Sequence, residues 1–115
     1  MDCLFCKIIE GKIPSQKIYE DRDVIAIKDI SPQAPIHYLF IPKSHIENLD
    51  SLGEENLNVM EHLFGAIKRV SKKEGFASQG YRTSINTNKD ACQSVYHLHV
   101  HCLAGRQLGG NMAGS

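Results

Sequence analysis

No charge of either sign prevails in this chain of 115 residues, where 13 Lys and Arg face 13 Asp and Glu. The basic surface of a general nucleic-acid binder is therefore missing, and any phosphate recognition has to be local. No apolar run approaches the roughly 18 residues of a membrane-spanning helix, so no membrane association of that kind is expected. The opening Met1-Asp2-Cys3 lacks the basic and then apolar stretches of a secretory leader, which predicts a cytoplasmic protein. There is no internal repeat, charge block or Pro/Ser linker to mark a boundary, and the length suits one domain with one core. A hydrophobic share of 42% against 23% charged excludes disordered and collagen-like classes. Cysteine is scarce at four, Cys3, Cys6, Cys92 and Cys102, and in a reducing compartment Cys3-x-x-Cys6 reads as metal-binding or redox-active before it reads as a disulfide.

The pattern along the chain predicts a single domain over residues 1–108 and a flexible tail over 109–115, where Gly109 to Ser115 is small and aperiodic. Leu4, Phe5, Ile8 and Ile9 share one face of a short helix that ends before Gly11. Ile18 to Lys28 reads as two strands joined at Asp21-Arg22-Asp23, and Ile36 to Ile41 as a third closed by Pro42. In that third strand His37, Leu39 and Ile41 face one way and Ile36, Tyr38 and Phe40 the other. A long helix is predicted from a capping box at Ser51-Leu52-Gly53-Glu54, with Leu57, Met60, Leu63, Phe64, Ile67 and Val70 on one face and Gly75 as its stop. Tyr81 to Asn86 and Val95 to Leu103 read as the last two strands. Five strands, one long and one short helix, and mostly short connections predict an α+β fold with an antiparallel sheet.

His97-Leu98-His99-Val100-His101-Cys102 alternates strictly, which places three imidazoles on one face of a strand and Leu98, Val100 and Cys102 on the other. Neighbouring histidines would stand about 6 to 7 Å apart, close enough for two to touch one phosphate or one metal. A wet strand face that merely tolerates histidine could as well carry Thr or Lys, whereas only histidine offers a neutral nitrogen nucleophile or ligand near pH 7. Two chemical uses remain open on the residues alone: a metal nest, or a nucleophilic imidazole with helpers.

The run Gln93-Ser94-Val95-Tyr96-His97-Leu98-His99-Val100-His101-Cys102-Leu103 resembles the histidine-triad motif, His-φ-His-φ-His-φ-φ with φ apolar, in the form of its Hint branch. Asp29-Ile30-Ser31-Pro32-Gln33-Ala34-Pro35-x-His37 and Ile41-Pro42-Lys43-x-His45 are similar to the same branch, and the similarity runs from about Cys3 to Arg106. The resemblance implies a dimer whose two sheets join into one larger sheet. It also implies a hydrolase acting on the P–N bond of purine nucleoside 5′-phosphoramidates. By matching position, His99 would attack the α-phosphorus, His101 and Ser94 would bind phosphate oxygens or the leaving amine, and His37 would orient the ring of His99. Asn86 would hydrogen-bond the phosphate, Asp29 would hold the ribose hydroxyls, and Phe5, Ile8, Ile13, Ile27 and Ile30 would line the base pocket. On the residues alone, Asp29 equally suits a turn initiator before Ser31-Pro32, and the five apolar side chains equally suit plain core. The implied ligands are AMP, GMP and adenosine phosphoramidates.

No cofactor is implied for catalysis, but the resemblance implies a structural Zn²⁺ held by Cys3, Cys6, His45 and His97, a ligand set suited to a closed tetrahedral site. Two free thiols with His45 on the surface is the competing reading. Cys92 and Cys102 are expected to pack as small hydrophobes. The chain departs from the family pattern at Cys92 and Ala104, where glycine is usual, and its tail lacks the tryptophan of animal Hint proteins. Rival functions are a dinucleoside polyphosphate hydrolase of the Fhit type, a metal-dependent hydrolase built on the histidine row, and a non-catalytic nucleotide-binding dimer. A galactose-1-phosphate uridylyltransferase is disfavoured because that type has Gln where His101 stands.

Overall fold

The computed structural model describes residues 3–114, so Met1 and Asp2 of the expected domain and Ser115 of the expected tail lie outside the described residues. Helix α1 (Leu4–Ile9) is followed by strands β1 (Lys17–Glu20), β2 (Val24–Lys28) and β3 (Ile36–Pro42), helix α2 (Asn58–Lys73), and strands β4 (Arg82–Ser84) and β5 (Val100–Ala104). The five strands form one antiparallel sheet in the order β1-β2-β3-β5-β4. Period-two alternation explains the two layers. Val24, Ala26, Tyr38, Phe40, Val100 and Cys102 pack beneath Leu63, Ala66, Ile67 and Val70 of α2. Ile25, Ile27, Leu39 and Ile41 point the other way and carry Phe5 of α1.

Several local expectations need correction. The long helix does not start at Ser51: the hydroxyl and N–H of Ser51 both donate to Asn48 Oδ1, closing a 3₁₀ turn over Leu49–Ser51. A second 3₁₀ turn over Glu54–Asn56 leads into α2, and there the side chain of Asn56 caps the N–H of Gly53 at 2.8 Å. Along α2 the expected apolar face splits: Leu63, Ile67 and Val70 are buried, but Phe64 is 46% and Leu57, just before the helix, 48% exposed. The last strand is shorter than its alternation suggested. Beyond the Phe40–Val100 pair the chain leaves the ladder, because Pro42 has no N–H to donate and its carbonyl is taken at 2.8 Å by Nε2–H of the His97 ring.

Cys102 is buried as expected, but Cys92 is exposed. Cys92 ends the 3₁₀ turn Lys89–Ala91 with φ of 59°, a left-handed conformation that favours glycine. The described part of the tail is tied back to β4, where Arg82 Nη2 donates to the carbonyls of Gly109 at 2.7 Å and Gly114 at 3.1 Å.

Candidate active site and metal centre

On the sheet face opposite α2 lies a cavity of about 480 Å³. Its lining combines the apolar Leu4, Phe5, Ile8, Ile13, Ile27, Ile30 and Leu39 with Asp29, Ser94, His99 and His101. All five base-pocket positions expected from the sequence therefore line one cavity, with Ile30 at its rim, 98% exposed. Asn86 is half-buried after β4 and is not part of this lining.

The hydrogen bonds fix which nitrogen of each imidazole carries the proton. His99 is 8% exposed and donates Nδ1–H to the carbonyl of His97 at 2.7 Å, so its neutral ring keeps the Nε2 lone pair free. Burial pushes its pKa down from the ordinary histidine value. His37 Nδ1 accepts the backbone N–H of Gln33 at 3.0 Å, which leaves Nε2–H to donate to His101 Nδ1 at 2.9 Å. The same Nε2 lies 3.3 Å from Asp29 Oδ2. His101 consequently presents Nε2–H, and burial, with His99 and His37 close by, lowers its pKa to about 4.

This geometry revises the expected role of His37. Its hydrogen bond goes to His101, two residues beyond the expected His99, because antiparallel pairing sets His37 opposite Leu103 and Leu39 opposite His101. Residues diagonal across a ladder share a face and meet there. The Asp29 carboxylate also accepts the N–H of Ser31 at 2.8 Å, as the turn reading expects, while the residue lines the cavity.

The histidine row is divided between two centres. His99 and His101 stay together, ring centroids 5.2 Å apart. His97, fully buried, joins Cys3, Cys6 and His45, with one donor atom from each of the four lying within 4.8 Å of the others. Its Nδ1 stands 3.3 Å from Cys3 Sγ and 3.2 Å from His45 Nδ1, and Cys6 Sγ is 3.4 Å from His45 Nδ1. Because the His97 Nε2–H is bound to the Pro42 carbonyl, Nδ1 is free to be a ligand in a fixed orientation, the usual support of a metal-binding histidine. Two thiols and two imidazoles converging in this way fit a closed tetrahedral zinc site.

The family model described as "Scavenger mRNA decapping enzyme C-term binding" matches residues 2–113. An Escherichia coli K12 protein named purine nucleoside phosphoramidase is 40% identical over 112 residues, 97% of this chain and 94% of that one. A Zea mays protein named 14 kDa zinc-binding protein is 46% identical over 107 residues, 91% of this chain and 83% of that one. A solved histidine triad protein from Clostridium difficile superposes with a TM-score of 0.94 at 42% identity, covering 96% of each chain. The chain belongs to the histidine-triad superfamily, in its Hint-like branch.

In this histidine-triad protein the segment that presents Ser94 is held by a buried amide network that sequence reasoning missed. Gln93 Nε2 donates to the carbonyls of Glu47 at 2.8 Å and Val95 at 3.1 Å. Its Oε1 accepts from the Asn88 N–H at 2.9 Å and from Asn48 Nδ2 at 3.2 Å. All donor and acceptor capacity of the Gln93 amide is used, which fixes the backbone leading to the exposed Ser94, a residue of the cavity lining. The only signal for it was the position of Gln93 next to Ser94 in the motif. No sequence feature pointed to Asn48 or to the backbone of Gln33. Among the described residues, no helix is long and apolar enough to cross a membrane.

Proposed function

We propose that this protein hydrolyses the P–N bond of purine nucleoside 5′-phosphoramidates through a nucleotidyl-histidine intermediate. The observation that carries the reading is His99, held neutral with Nε2 unprotonated, lining a cavity that it shares with apolar side chains and Asp29. The apolar wall of Phe5, Ile8, Ile13, Ile27 and Ile30 takes the purine, and the Asp29 carboxylate accepts hydrogen bonds from the ribose hydroxyls. His99 Nε2 attacks the α-phosphorus, the P–N bond breaks, and its electron pair leaves with the nitrogen. In this reading His101 Nε2–H and the Ser94 hydroxyl act as donors that steady the phosphoryl oxygens and relay a solvent proton to the departing amine. Water then attacks the phosphorus of the intermediate, the P–Nε2 bond breaks, and the proton that water loses returns to solvent by the same relay, releasing the nucleoside monophosphate and free His99. Division into two displacements at one imidazole is the gain of covalent catalysis.

The Cys3, Cys6, His45 and His97 centre is assigned to Zn²⁺. With four protein ligands it offers no open position, so when bound the metal supplies structure and no activated water. The expected homodimer, its two sheets running on into one, belongs to the same reading. Support comes from β4, a short edge strand, and from the exposed Leu57 and Phe64 on the helical side.

The test is turnover of adenosine 5′-phosphoramidate by wild type and His99→Asn, with alkaline quench, which spares a P–N bond to imidazole, and mass measurement of the intact chain. Wild type should release AMP and carry an added adenylyl group at quench, and the variant should lose turnover by on the order of 10³-fold or more. Turnover of a dinucleoside polyphosphate in preference to the phosphoramidate, or equal turnover by the variant, would overturn the proposal.

A further inference from the structure

We infer that metal at the Cys3, Cys6, His45 and His97 centre and nucleotide in the cavity are linked through α1, each strengthening the protein's hold on the other. The inference rests on the zinc and nucleotide assignments proposed above. It goes beyond them because nothing in either assignment requires the two sites to communicate.

Helix α1 belongs to both sites. Cys3 caps its N-terminus, its thiol accepting the N–H of Cys6, and these two residues supply half of the metal donors. Between and beyond them, Leu4, Phe5 and Ile8 form part of the cavity wall. Phe5 bridges the centres: its ring meets His97 edge-on at 6.0 Å and His99 at 5.0 Å between centroids. His97 completes the connection, since its side chain is a metal donor while its carbonyl holds Nδ1–H of His99 at 2.7 Å.

What docks α1 is equally telling. Among the described residues, the backbone hydrogen bonds of α1 and the turn after it stay within residues 3–13, so the backbone does not tie it to the sheet. A six-residue helix has little stability of its own. Side chains hold it instead: Phe5 against Ile25, Ile27, Leu39 and Ile41, and the thiols against His45 and His97. A metal ion locking both thiols to the two imidazoles fixes the wall that the purine stacks on. A purine on that wall in turn resists the outward swing that separates the thiols from the imidazoles. Linkage makes the two effects equal in size.

The experiment follows Zn²⁺ release from the zinc-loaded protein into excess chromophoric chelator, with and without saturating AMP, so that no folded metal-free state is needed. Amide exchange at Lys7 and Glu10, whose N–H groups bond the carbonyls of Cys3 and Cys6, is read beside that of β3. AMP should slow release and α1 exchange by about tenfold, within the usual range of coupling between sites. Phe5→Leu should still bind Zn²⁺ but show a factor near one. Release unaffected by AMP, or β3 exchange slowed as much as α1, would overturn the inference while leaving the proposed chemistry intact. A protein that binds no AMP, or takes up no Zn²⁺, would overturn the reading beneath it as well.

Discussion

At the scale of single residues, burial keeps His99 and His101 uncharged, and their hydrogen bonds give each a defined tautomer. His101 has a folded pKa of about 4 against an ordinary 6.5, mainly because it is desolvated. Between those values the unfolded chain binds a proton that the folded chain refuses, so stability is full above pH 6.5 and declines as pH falls toward 4. Urea midpoints at pH 7 and pH 4.5 should therefore separate more for wild type than for His101→Asn. Loss of His37 removes the Nε2–H that His101 Nδ1 accepts, the contact that keeps the proton of His101 on Nε2. His37→Ala should lower kcat by about 10²-fold with a smaller change in KM, and His37→Gln, which keeps a donor, should recover part of it. That His37 serves His101 was not legible in the sequence. The alternation gave the shared face, but the partner depends on which rung of β3 meets which rung of β5.

Among the elements, those with strong periodicity were legible: β2, β3, the two layers of the sheet and the interior of α2. Boundaries were lost where a side chain intervened. Ser51 has the residue type of a helix cap, yet Asn48 claims both of its polar groups, and no local pattern foretells that competition. The histidine strand broke early for a similar reason, an imidazole replacing a backbone donor at Pro42. Cys92 was misjudged as a packing residue because its left-handed conformation is a property of the turn it ends. Cys92→Gly should raise stability by about 1 kcal/mol in chemical denaturation, the usual cost of a β-carbon in that region. Gln93→Ala should do the opposite, costing about 1 to 3 kcal/mol by stranding the groups that its amide now satisfies. It should also slow turnover, since Ser94 follows directly.

For the whole molecule, the sheet has an unequal cover. One face carries a 16-residue helix and the larger cluster of buried side chains, and the other only a six-residue helix and the two sites. Folding stability is concentrated on the first face, so Leu63→Ala should cost about 2 to 5 kcal/mol with the site chemistry unchanged in the molecules that remain folded. Self-association is expected on the outer side of α2 and the β4 edge. Light scattering at micromolar concentration should give twice the chain mass for wild type and a single chain mass for Phe64→Glu. A monomeric wild type would dismiss the expectation. That Phe64 stands outside the core could not be read from its spacing, which is the same for a residue facing the sheet and one facing a second subunit.

The two contacts that choose the tautomers of His99 and His37 are made by main-chain atoms, the carbonyl of His97 and the N–H of Gln33. Side-chain replacement leaves both atoms in place, so an alanine scan would report at position 97 the loss of the Cys/His cluster and of the Pro42 contact, and not the carbonyl that holds His99. The same arrangement frees evolution at those positions. A descendant that trades His97 and both cysteines for ordinary packing residues keeps the carbonyl that binds Nδ1–H of His99, so the tautomer of the proposed nucleophile does not depend on the side chains of the proposed metal centre.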